Sequence, residues 1–160
     1  MSPKCLICGN SSPVFLEQQG YIFNKCSICG FFFVNPMPND SELLAVYSPK
    51  TGYQSHKINK DYKKETNLKY VKIFKKLKKY SIPNKKVLDV GASDGEFLYY
   101  AKREGFLPFG VEPNKTTADI ANKNNLNVFC GFLNDSNFER NSFSLLRLGD
   151  VLEHSNDPHK

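Results

Sequence analysis

Four cysteines near the N-terminus repeat one spacing, Cys5 and Cys8 in "CLICG" and Cys26 and Cys29 in "CSICG", with seventeen residues between the pairs. Two residues between thiols let both sulfurs hold one ion from a tight turn, and Gly9 and Gly30 supply the permissive backbone that follows such a turn. This is the spacing of a structural zinc site. Four thiolates complete a tetrahedron, so the ion would fold the segment and leave no position for a reacting water. A dithiol redox centre needs only one pair, and the second copy argues against it. Cys130 stands apart and reads as a small buried hydrophobe.

A second kind of chemistry is written in "VLDVGASDGEFL", Val87 to Leu98, where a run of β-formers meets a turn of small and acidic residues and then a helical pattern. Gly91 and Gly95 allow the main chain to turn sharply and approach a ligand, and the helix that follows presents free N–H groups. The spacing D-x-G-x-x-x-G departs from the dinucleotide fingerprint, which weakens a nicotinamide or flavin reading. Asp94 and Glu96 stand where a phosphate loop would carry Lys and Ser or Thr, and they would repel a pyrophosphate. Glu112 in "FGVEPN" closes the next strand about twenty residues on, where a carboxylate can accept from both ribose hydroxyls. Together these residues describe a site for a nucleoside without phosphates.

The elements that must position this turn are legible from Lys85 onward. Strand "KVLDV", helix "GEFLYYAKREG", strand "FLPFGVE", helix "TTADIANKNN" and strands "NVFCG" and "FSLLRLGD" alternate in type. That alternation predicts a parallel sheet with helices on both faces and a ligand crevice at the carboxyl ends of the strands. Ahead of it, "PVFLEQQGYIFNKC" predicts a hairpin turning near Gly20, and "FFFVNPMP" a strand closed by prolines. "NDSELLAVYS" offers Asp40 or Ser41 as a helix cap before Leu43, Leu44 and Tyr47. The expected division is a ribbon over 1–38, a helical connection over 39–83 and the sheet over 84–160.

The chain has 160 residues, 40% of them hydrophobic, enough to bury a core. Its net charge of +6 owes much to the lysines between Lys57 and Tyr80, where Tyr70, Val71, Phe74 and Leu77 recur at helical spacing. A solvated helix face explains those lysines better than a nucleic-acid patch. No stretch reaches the roughly 20 apolar residues of a membrane span, and the N-terminus lacks the apolar core of a signal peptide, so a cytoplasmic location is expected.

"VLDVGASDGEFL", "FGVEPN" and "GDVLEHSNDP" resemble, in that order, motifs of class I S-adenosylmethionine-dependent methyltransferases. The front of the chain, "CLICG" through "LLAVYS", resembles the zinc module ahead of that domain in a subgroup that includes deoxysugar C-methyltransferases. The resemblance spans nearly the whole chain and implies an α/β protein: a four-cysteine zinc ribbon followed by a partial Rossmann-like sheet. It implies that Asp89, Gly91, Ala92, Ser93 and Gly95 lie along the methionine part of the cofactor and that Glu112 holds its ribose. It further implies that Phe132 or Leu133 flanks the adenine and that Asp150 and Val151 approach the sulfonium. His154 lies where a base for a small-molecule methyl acceptor, such as a sugar nucleotide, would be expected.

Two departures stand out. Ser93 replaces the family's middle glycine, which is tolerable at negative φ, and Arg147 falls within a central strand where an unpaired charge is expensive. Family domains have seven strands and this sequence holds four, so a fragment with an open sheet edge, covered by a partner chain, is expected. A noncatalytic cofactor-binding module and an RNA methyltransferase are the rival readings.

Overall fold

A computed structural model describes residues 2–39, 41, 42, 45 and 67–155. Leu43, Leu44, Tyr47 and the Asp40 cap, with most of the helical connection, lie outside the described residues; Ser41, Glu42 and Ala45 are helical, and the capping contact is made by Asn39, whose side chain accepts from Glu42 N–H at 3.0 Å, rather than by Ser41. By internal contacts the chain divides into two compact units, 1–46 with 152–160, and 47–151.

In the first unit, β1 (Val14–Gln18), β2 (Tyr21–Lys25) and β3 (Phe32–Val34) form an antiparallel sheet in the order β1-β2-β3. Gln18 pairs with Tyr21, and the two turn residues, Gln19 and Gly20, both have positive φ, 51° and 82°. A two-residue turn of that hand matches the twist of the flanking strands. Every residue of β1 is exposed, and the buried set is small: Cys5, Ser12, Asn24, Cys26 and Phe33. So thin a core supplies little folding free energy, which leaves the cysteines to hold the ribbon together.

The second unit is built on a four-stranded parallel sheet of order β6-β5-β4-β7. Its strands are β4 (Lys86–Val90), β5 (Leu107–Glu112), β6 (Asn127–Cys130) and β7 (Leu145–Leu148). Helix α1 (Leu68–Leu77) precedes β4, α2 (Glu96–Arg103) joins β4 to β5, and α3 (Lys115–Lys123) joins β5 to β6. β4 takes a central place because Val87, Leu88 and Asp89 are buried on both faces, as parallel strands require.

Among the described residues the three helices share one face of the sheet, which corrects the expectation of helices on both. Phe74 of α1, Phe97 and Leu98 of α2, and Ala118 and Ala121 of α3 form one core with Val87 and Val128. The chain steps from β4 to β5 to β6 in one direction, and right-handed crossovers taken in one direction fall on one side. On the other face Phe109 packs edge-on against Phe138 and Phe143, at 6.0 and 5.6 Å. Leu146 and Leu148 of β7 are exposed there. The helical face expected on α1 is present: Phe74 is buried, Tyr70 and Leu77 are partly so, and Val71 and the lysines face solvent.

Candidate functional site

The four cysteine sulfurs lie within 4.8 Å of one another. Their close approaches run between the two knuckles: Cys5 to Cys29 at 3.6 Å, Cys8 to Cys26 at 3.4 Å and Cys8 to Cys29 at 3.6 Å. Sulfurs about 2.3 Å from one tetrahedral ion stand roughly 3.8 Å apart, so the spacing fits a single central cation and is far too long for disulfides. The knuckle backbone is arranged for thiolates, with the N–H of Ile7 donating to Cys5 Sγ and those of Ile28 and Cys29 to Cys26 Sγ, each at 3.4 Å. The N–H of Cys29, ahead of that of Ile28, draws the Cys26 thiol down to about 6. Cys29 is pushed up to about 12, an N–H from Phe31 being outweighed by desolvation and by the three neighbouring sulfurs. Cys130 is exposed rather than buried, because it ends β6 at the edge of the sheet.

The second site forms at the carboxyl ends of β4 and β7, which run side by side where the strand order departs from the chain order, the place where parallel sheets open a crevice. After β4 the chain turns at once: the N–H groups of Gly91 and Ala92 both donate to the Val111 carbonyl at 2.9 Å, and Gly95 N–H closes on Ala92 O. Gly91 and Gly95 have φ of 74° and 85°. What fills the space of their missing side chains is protein. A Cβ at Gly91 would stand 2.6 Å from Val151 Cγ2, and one at Gly95 would stand 2.5 Å from Leu126 Cδ1. The first glycine thus lets the turns after β4 and β7 touch, and the second lets α2 start against α3.

Ser93 has φ of 51°, in the left-handed region, which overturns the expectation of negative φ. The reason lies across the crevice. Glu112 Oε2 accepts from Ser93 N–H at 2.8 Å, and Oε1 accepts from Asn114 N–H at 2.8 Å. The carboxylate is buried, and it ties the glycine turn to the start of α3, whose cap is the Asn114 side chain accepting from Thr116 and Thr117. Burial raises the Glu112 pKa, opposed by the N–H groups of Asn114 and Ser93 and by Thr117, with Asp94 adding to the rise. Both carboxylate oxygens therefore meet N–H donors on the protein, with lone pairs left over for further donors.

Arg147 corrects another expectation: it is not unpaired. β7 lies in register with β4 so that Arg147 sits beside Asp89, and Nη1 donates to Asp89 Oδ1 at 2.6 Å. The guanidinium also lies 4.9 Å from the centre of the Phe97 ring and 5.7 Å from that of Tyr70. Asp89 is fully buried, and its Oδ2 has no hydrogen-bond partner. Burial pushes its pKa up to about 7, against the pull of Arg147. Neither the pairing nor its cost was visible in the sequence, where positions 89 and 147 have no pattern linking them.

The remaining expected residues separate into two groups. Phe132 is exposed and stands two positions beyond β6, where Gly131 N–H donates to Glu112 O at 3.0 Å, so it lies at the crevice end of the sheet. Asp150 (φ 58°) and Val151 follow β7 at the same end. His154 is exposed on a single 3-10 turn, Leu152–His154, and belongs to the first unit.

A family model for methyltransferase domains matches residues 62–160. No curated protein matches the chain. Among solved structures, the plantazolicin methyltransferase BpumL in complex with a pentazolic desmethylPZN analog and SAH is 17% identical, with a TM-score of 0.51 over 72% of this chain and 48% of that one. A SAM-dependent methyltransferase from Thermotoga maritima, described as a possible histamine N-methyltransferase, is 22% identical, with a TM-score of 0.45 over 57% of this chain and 42% of that one. The chain spans less than half the length of either. At such identities the BpumL likeness bears on the fold alone.

Proposed function

The chain belongs to the methyltransferase-domain family, and on that footing we propose that it binds S-adenosylmethionine and serves methyl transfer to a small-molecule acceptor. The observation that carries this reading is the Gly91–Gly95 turn facing the Glu112 carboxylate at the carboxyl end of a four-stranded parallel sheet. The turn brings peptide groups close to a ligand, Glu112 retains lone pairs for ribose hydroxyls, and the acidic groups nearby disfavour phosphates. When bound, S-adenosylmethionine supplies a methyl group activated by a sulfonium. In this reading Gly91, Ala92, Ser93 and Gly95 border the methionine portion with Asp89 buried behind them, Phe132 flanks the base, and Asp150 and Val151 face the sulfonium side. Orienting the acceptor in line is the main source of rate, and positioning of this kind contributes roughly 7–11 kcal/mol in favourable cases.

The cysteine cluster holds a structural zinc ion in this reading, and the likeness of the ribbon segment to the deoxysugar subgroup makes a sugar nucleotide the proposed acceptor. No helix among the described residues is long and apolar enough to cross a membrane. Calorimetric titration with S-adenosylhomocysteine tests the cofactor, with ATP as the phosphate-bearing control. Saturable binding of the first and none of the second is expected; equal binding of both, or of neither, would sink the reading. Turnover of labelled S-adenosylmethionine with a panel of nucleotide sugars tests the acceptor.

A further inference from the structure

Arg147 is the group this site least needs for folding and most needs explained. A charge placed within a sheet costs several kcal/mol unless paired, and replacing such a pair with apolar residues is often neutral or better for stability. Yet four positions are fitted around it. Asp89 faces it in register and takes one of its N–H groups. Phe97 and Tyr70 lie beside the guanidinium. Position 149 is glycine, and a Cβ there would collide with Nη2 and Cζ of Arg147. The side chain therefore reaches forward past the end of β7, toward the turn that follows β4. It remains 19% exposed, while Asp89 is sealed.

The charges around it say what it can recognise. Asp89 takes one of its N–H groups, and the rings of Phe97 and Tyr70 beside it carry no charge. Of the five N–H donors of a guanidinium, Nη1 is committed to Asp89. Nη2 and Nε have no protein acceptor among the described residues. Held at Nη1, the guanidinium keeps N–H groups on Nη2 and Nε, and such a planar fork takes a carboxylate through paired hydrogen bonds.

We infer that Arg147, anchored on Asp89 and given room by Gly149, is the specificity-determining residue that receives the α-carboxylate of the ligand's amino-acid tail. Asp89 is then a positioning residue, too buried to touch the ligand, and the sulfur nucleoside is told apart from its decarboxylated counterpart here. The inference rests on the cofactor reading above, and its test is separable from it.

The test titrates the full chain with S-adenosylhomocysteine and with decarboxylated S-adenosylhomocysteine, which keeps the nucleoside, thioether and amine. A hydrogen-bonded charge pair of this kind contributes enough to change affinity roughly 10- to 100-fold, so the wild type should prefer the carboxylate-bearing ligand by about that factor. Arg147→Gln should lose the preference and bind the two ligands alike. Arg147→Lys keeps a counter-charge for Asp89 and should retain part of the preference; it decides the matter if the Gln variant does not fold. Equal losses for both ligands would make Arg147 structural and overturn the inference. So would a gain in affinity for S-adenosylhomocysteine on removing Arg147, which would mean the side chain obstructs the crevice. A wild type that binds neither ligand defeats the cofactor reading itself, and this inference with it.

Discussion

Glu112→Gln separates a carboxylate that merely lines a pocket from one that shapes it. In the folded chain Oε2 accepts from Ser93 and Oε1 from Asn114, both at 2.8 Å, and the group is 7% exposed, so neither N–H has ready access to water. Glutamine keeps the shape and one acceptor, but its NH2 must face one of the two N–H donors. An orphaned buried donor costs about 1–3 kcal/mol. Part of that is offset, because the burial that raises the Glu112 pKa also makes a neutral amide cheaper to enclose. The net loss is roughly 1–2 kcal/mol, or about 4–12 °C in melting temperature for a unit of this size. Ser93 sharpens the test, since its φ of 51° is imposed by this clasp. A serine there costs on the order of 1 kcal/mol more than glycine, partly cancelled by the looser unfolded chain, so Ser93→Gly should restore about 0.5 kcal/mol in the Gln background. Far-UV circular dichroism melts of the full chain without ligand measure both. A Gln variant melting within about 2 °C of the wild type would refute the clasp, because an unsatisfied buried donor cannot be that cheap.

Cys26→Ser should abolish stoichiometric zinc by atomic absorption, and a chelator should unfold the wild-type ribbon while leaving the sheet unit's helical signal; an unchanged metal content would exclude the four-sulfur site. Asp89 provides a pH signature. Its pKa is raised from 3.8 to about 7, so its contribution to stability is full below the unfolded value and is lost as pH rises through about 7. Denaturant midpoints of the wild type should therefore fall from pH 5 to pH 8 relative to those of Asp89→Asn, and a relative rise would show that Arg147 outweighs burial. Gly91→Ala forces a Cβ to 2.6 Å from Val151 Cγ2 at φ of 74° and should weaken S-adenosylhomocysteine binding. Val151→Ala in the same chain should recover part of that loss in a calorimetric titration, and no recovery would mean backbone strain alone is responsible.

The sequence by itself determined what depends on neighbours along the chain. The paired C-x2-C knuckles, the hairpin at Gly20 and the βα alternation after Lys85 are local patterns, and the elements form where those patterns lie because short-range sterics and periodicity decide them. The glycine turn and the acid closing β5 could likewise be picked out by spacing. Strand order belongs to the tertiary structure, and most of what was misread follows from it. Only once β7 packs beside β4 does Arg147 meet Asp89, and only once β5 lies on the other side of β4 can Glu112 hold Ser93 at a φ that serine otherwise avoids. The glycines at 91 and 95 looked like room for a ligand. Folding shows that their missing side chains, and that of Gly149, make room for Val151, Leu126 and Arg147. A one-dimensional pattern records which residues are small or charged, whereas what occupies the space beside Gly91 and Gly95 is set by segments some 60 and 30 residues away in the chain, brought together only when a shared core is buried.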